Sequence, residues 1–202
     1  MAHPFENIRS EGGDEDRSAR WYMKAVREFA ANINTPNDVF NSDIGEVTSR
    51  LEIGNMYMFR YSPKTRKDLK YFDNFPLILM SEPLRDGFSG INLHYLAPLE
   101  RASLLDKLLG NTRDSDINRR TRAASDWRIV KNFMRFPEVR PAIKTYLYNN
   151  VQGRVMKVHQ EHWKAAIFLP VHNFTGAAPT QVWRESRKRP DNRKRRGGLT
   201  LG

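Results

Sequence analysis

The chain has 202 residues, with 34 Lys and Arg against 23 Asp and Glu, for a formal net charge of +11. This length suits one domain with a sizeable core plus short extensions, and leaves little for a second full domain. The absence of cysteine excludes a disulfide framework, a thiolate metal site and a cysteine nucleophile, and so basic a balance favours a polyanion, either nucleic acid or an anionic membrane surface.

Residues 1–17 are polar, contain Gly12-Gly13 and the acids Asp14, Glu15 and Asp16, and hold too little apolar surface to fold alone, so a flexible arm is expected. They lack the basic start and apolar centre of a secretion signal, and no run approaches the ~20 apolar residues of a membrane helix, so no membrane partner is expected. From Ser18, the residues Trp21, Tyr22, Ala25, Val26, Phe29 and Ile33 recur at helical spacing and predict an amphipathic helix over 18–33. Residues 34–50, with Pro36, Gly45 and several Asn and Asp, read as an ordered loop.

Residues 53–96 carry the densest strand signals. Tyr57, Phe59 and Tyr61 alternate with Met56 and Met58, which predicts a strand with one aromatic face and one flexible apolar face. Ser62-Pro63 ends it. Phe75 to Met80 is a short apolar run of the kind a buried strand needs, and Arg85-Asp86-Gly87 is a turn before a third strand in which Ile91, Leu93 and Tyr95 alternate with Asn92 and His94.

A helix over 98–109 follows from Pro98 in the first turn, the Leu104, Leu105, Leu108 and Leu109 stripe, and Gly110 as its stop. A second helix is expected over 116–136 from Ile117, Ala124, Trp127, Val130 and Met134, ending at Pro137, and a third over 141–152 from Ile143, Leu147 and Val151. Strands resume within 154–169, on either side of a turn at His159-Gln160-Glu161-His162. The fold class is thus α+β: residues 18–174 form a single domain with a small, curved antiparallel sheet or an SH3-like barrel and inserted helices. Residues 175–202 form a basic, disordered-looking C-terminal extension that carries a brief helix at 181–188.

That extension concentrates charge. Arg184, Arg187, Lys188, Arg189, Arg193, Lys194, Arg195 and Arg196 stand against Glu185 and Asp191. Such a cluster grips phosphates by releasing condensed counterions, without reading sequence; a merely solvated tail has the same composition. Arg113, Arg119, Arg120 and Arg122 offer a second basic surface in a turn and the start of a helix. The central aromatics are assigned to core packing rather than to stacking on bases. His159 and His162, in the order H-Q-E-H, match no helical zinc signature and are read as surface or structural. Asp68 and Lys70, near Glu52, Asp73 and Glu82, faintly resemble a magnesium nuclease site, a match of two residues only. No glycine-rich phosphate loop and no nucleophile motif is present, so no catalytic residue, metal or cofactor is expected.

Several longer patterns are shared with a known family: G-x-M-Y-x-F-x-Y-x-P-K at Gly54 to Lys64, L-x-Y-F-D-x-F-P-L at Leu69 to Leu77, and G-F-x-G-I-N-L-H-Y-L at Gly87 to Leu96. The segments from Ser18 to Tyr22, Phe133 to Leu147, Trp163 to Pro170 and Val182 to Arg187 extend the match over most of the chain. In these the chain resembles the DNA end protector proteins of T-even-type tailed phages. The resemblance implies a virion protein, made in the host cytoplasm, that associates with the ends of packaged double-stranded DNA near portal, neck or tail subunits and shields them from the host exonuclease. It carries no individual contact residues with it. Two rivals remain: a structural neck, tail or baseplate subunit whose basic tail docks on other virion proteins, and a nuclease using Asp68 and Lys70.

Overall fold

A computed structural model describes residues 33–110, 128, 130–132, 134–137 and 139–187. The arm at 1–17, nearly all of the helix expected over 18–33, the first part of that over 116–136, and the chain beyond 187 lie outside the described residues. Within them, the order is α1 (Pro36–Phe40), β1 (Gly45–Thr48), β2 (Met56–Tyr61), β3 (Phe72–Asp73), β4 (Leu77–Leu84), β5 (Gly87–Asn92), a 3-10 turn at Leu93–Tyr95, α2 (Pro98–Gly110), β6 (Ile143–Leu147), β7 (Val151–Val158), α3 (Trp163–Ala166), β8 (Phe174–Thr175) and α4 (Pro179–Ser186). Residues 128, 130–132 and 134 are helical.

The described strands form an antiparallel sheet in the order β1-β7-β2-β4-β5-β6, and β3 pairs with β8 separately. Among the described residues β1 pairs only with β7 and β6 only with β5, so the sheet is open rather than a closed barrel. The alternation in β2 decides how its two faces are used. Register places Met56 opposite Leu79 and Met58 opposite Leu77, with Tyr57 opposite Ile78 between them. Met56, Met58, Leu77 and Leu79 therefore join the larger core, together with Leu93, Leu104, Trp163 and Val182 from the helices and turns. Tyr57, Phe59 and Tyr61 face the other way with Ile78, Met80, Phe88 and Tyr146. Phe59 is the hub of that second cluster, with ring centroids 5.4 Å from Phe88 and 5.2 Å from Tyr146, both edge to face. The ladders are interrupted by register shifts at Phe59/Arg60 and Met80/Glu82.

Several expectations are corrected. The span 141–152 is not a helix: after a 3-10 turn at Arg140–Ala142, residues Ile143–Leu147 form the edge strand β6. A Cβ on Gly87 would stand 2.0 Å from the Tyr146 carbonyl oxygen, so only glycine lets β5 and β6 approach this closely. The second strand of 154–169 is a short helix, α3, with Trp163, Ala166 and Ile167 buried and the Trp163 indole donating to the Val158 carbonyl at 3.1 Å. The loop over 34–50 contains α1, closed by a capping box in which Thr35 and Asp38 satisfy each other's backbone amides, and the edge strand β1.

The C-terminal extension expected from 175 is part of the fold as far as 187. Thr175 pairs with Phe72, Val182 and Ser186 are buried, and the Trp183 indole donates to the His94 carbonyl at 2.8 Å.

Candidate nucleic-acid interface

The face bearing α4 is built on a buried polar network. Asp73, at the end of β3, accepts from His94 Nδ1 at 2.7 Å, from Asn92 Nδ2 at 3.2 Å, and from the backbone amides of Phe75 and Asn173. Asn92 Nδ2 also donates to the Tyr146 hydroxyl at 3.0 Å. Burial alone would push the Asp73 carboxyl up; His94 and the converging hydrogen bonds outweigh it and hold the group below the usual carboxylate range. Burial pushes His94 down despite Asp73, so the ring is neutral, with Nδ1 donating and Nε2 carrying the lone pair. Arg101, 3% exposed, spans the next layer: it donates to the carbonyls of Leu96 at 2.7 Å, Ile167 at 2.9 Å and His94 at 3.2 Å, and lies 5.5 Å over the Trp183 ring. Burial lowers its pKa to about 10, which still leaves it charged at neutral pH.

This network fixes two surface elements against each other. Gly176, at φ +90°, lets the chain after β8 pass so close that a Cβ there would sit 2.5 Å from the Lys70 carbonyl oxygen. Lys70 Nζ then reaches Glu185 Oε1 on α4 at 2.7 Å. Glu185 also accepts from Gln181 Nε2 at 3.2 Å. Residues 62–71 thus form a loop beside α4 that presents Lys64, Arg66 and Lys67, all exposed, with only Asp68 opposing them in the loop. Lys64, Arg66 and Lys67 form no ion pair among the described residues.

The same loop borders a cleft of about 370 Å³ whose lining includes Tyr61, Lys64, Leu69, Tyr71, Lys144 and Tyr146. Lys144 Nζ lies 4.1 Å over the Tyr95 ring. Burial lowers the Lys144 pKa.

Of the basic residues singled out in the sequence, Arg184 and Arg187 are described. Arg184 is exposed on α4, and Arg187, just past it, pairs with Glu100 of α2 at 2.9 Å. Arg113, Arg119, Arg120, Arg122, Lys188, Arg189, Arg193, Lys194, Arg195 and Arg196 lie outside the described residues. Sequence reasoning passed over Lys64, Arg66, Lys67 and Lys144. The first three stand in the sequence as cations crowded behind Pro63, whereas Lys144 reaches the same cleft only through the pairing of β6 with β5.

The suggested nuclease constellation is not assembled. Lys70 is engaged by Glu185, Asp73 is buried against His94, and Glu52 meets Lys157 at 3.1 Å. Among the described residues no three His, Asp or Glu converge as a metal site. No described helix is long and apolar enough to cross a membrane.

Comparison with known proteins gives one family whose model matches residues 7–186, described as phage T4 terminal DNA protecting protein. No curated protein and no solved structure matches.

Proposed function

The chain belongs to the phage T4 terminal DNA protecting protein family, and we propose that it protects a DNA end by occupying it. Binding DNA ends and keeping exonuclease from them is the activity of the family; the manner is our reading. Blocking an exonuclease needs no bond made or broken. Cations hold the phosphates near the terminus, and the folded domain excludes the enzyme by its bulk. The protein acts without catalysis and without a cofactor.

The observation that carries this reading is the family match over 7–186 in a chain of net charge +11. The phosphate contacts we assign are Arg113, Arg119, Arg120 and Arg122, then Arg184 and Arg187, then Lys188, Arg189, Arg193, Lys194, Arg195 and Arg196. The anchoring of α4 by Val182 and Trp183 supports the assignment, because the basic run then starts from a fixed point beside the loop at 62–71. In the virion the protein sits with portal, neck or tail subunits, having joined the particle in the host cytoplasm.

The test is binding to a short linear duplex across a salt series. Affinity should fall steeply with salt, and deleting residues 188–202 should flatten the slope. An unchanged slope after deletion would place the phosphate contacts elsewhere.

A further inference from the structure

The cleft beside the 62–71 loop joins three properties that the end-protecting reading does not by itself require. It is concave, with a volume of about 370 Å³, at the small end of the roughly 300–1,000 Å³ of small-ligand sites. Its wall carries aromatic side chains that are not wholly buried, Tyr71 and Phe72. Two ammonium groups, Lys64 and Lys144, border it, and Arg66 and Lys67 stand on the same loop. Asp73 also lines the cleft, but its side chain is buried and its carboxylate oxygens are taken up by His94, Asn92 and two backbone amides, so it offers the cleft no free carboxylate. Aromatic faces with cations beside them bind unstacked bases and their phosphates, with little regard to sequence. Double-stranded DNA offers an unstacked face at its terminus, where the last pair frays most easily.

We propose that this cleft receives the terminal nucleotide of the bound DNA, the base stacking against Tyr71 and the phosphate lying on Lys64 and Lys144. The inference rests on the end-protecting reading and deepens it, since it explains how a protein gripping phosphates through cations alone tells an end from internal duplex. The cleft lies inside the residues matched to the family, whereas Lys188 and the cations beyond it fall outside them.

The test uses the full chain and a linear duplex carrying 2-aminopurine either at the terminal position or in the middle. Binding should quench the terminal probe and leave the internal one unchanged. Lys64→Ala and Tyr71→Ser should each weaken binding to the linear duplex by about tenfold, as loss of one stacked base or charged contact does, and Tyr71→Phe should restore it. Binding to a covalently closed circle should be the same in all four proteins. Lys64 is exposed, so its variant keeps the test decisive if Tyr71→Ser does not fold. A terminal probe that stays bright while the protein still shields linear DNA from an exonuclease overturns the cleft alone, and is the result expected if a virion protein segment fills it. Equal affinity for linear and circular DNA overturns the end-binding reading and the cleft with it.

Discussion

Lys70 and Glu185, 115 positions apart, meet at 2.7 Å and join the exposed basic loop to the helix from which the C-terminal basic run departs. The pair ties the loop that bears Lys64, Arg66 and Lys67 to the helix that bears Arg184. Removing the anion should favour DNA: Glu185→Gln is expected to raise affinity for a linear duplex and to steepen its salt dependence, while Lys70→Ala lowers both. Affinities measured from low to high salt check this, and an unaltered slope in Glu185→Gln would separate this face from the DNA.

Arg66 and Lys67, exposed on the loop but outside the cleft lining, should act on duplex of any sequence alike. Arg66→Ala and Lys67→Ala are each expected to lower the salt slope by about one, with no change in sequence preference. Competition between two unrelated duplexes of equal length is the measurement.

The buried network should matter for stability rather than for contact. Arg101→Leu leaves the Leu96 and Ile167 carbonyls without their donor, at about 1–3 kcal/mol for each orphaned group. Asp73→Ala leaves the His94 Nδ1 proton, one Asn92 amide proton and two backbone amides without their acceptor, at about 1–3 kcal/mol for each orphaned group. Denaturant titration should show both losses. Phe59→Ala should cost ~3–5 kcal/mol by emptying the centre of the aromatic cluster.

Acid sensitivity should be traceable in part to His172, beside His94, whose pKa burial also lowers. Burial, then the neighbouring His94 and Arg101, push its pKa from 6.5 down to about 4, and Asp73 only partly offsets them. A group whose folded pKa is lowered takes up its proton first in the unfolded chain, so its stabilising contribution is whole above pH 6.5 and shrinks as pH falls towards 4. Asp73, held below the usual range, adds its own loss only at lower pH, below the ordinary 3.8. His172→Phe keeps the packing on Phe174 and Trp183 and removes a buried nitrogen without a partner. The variant should show a flatter fall of melting temperature between pH 6.5 and 4 than the parent; equal slopes would assign the effect elsewhere.

The part of the fold written in local alternation was legible. In β2 the period of two separates tyrosine and phenylalanine from methionine, and the two sets enter different cores. The edge strand β6 was not, because Ile143, Leu147 and Val151 are spaced by four, a spacing that fits one face of a helix and one face of a strand equally. The choice is made by long-range pairing with β5 along Gly87 and Gly90. In α3 the buried Trp163, Ala166 and Ile167 do follow helical spacing, but the apolar run disguised it. The basic composition of residues 188–196 is plain in the sequence, but they lie outside the described residues. The cleft could not be read there, since Tyr71, Lys144 and Tyr146 come together only through the sheet and the β3–β8 pair.

The central claim, that this protein shields DNA by sitting on its end, is tested most directly by exonuclease digestion of a linear duplex blocked at one terminus and open at the other. Saturating protein should leave the open end intact at low salt and expose it as salt rises, and an excess of covalently closed circle should not relieve the protection. Digestion at the unprotected rate under saturating low-salt conditions, or full relief by the circle, would contradict it.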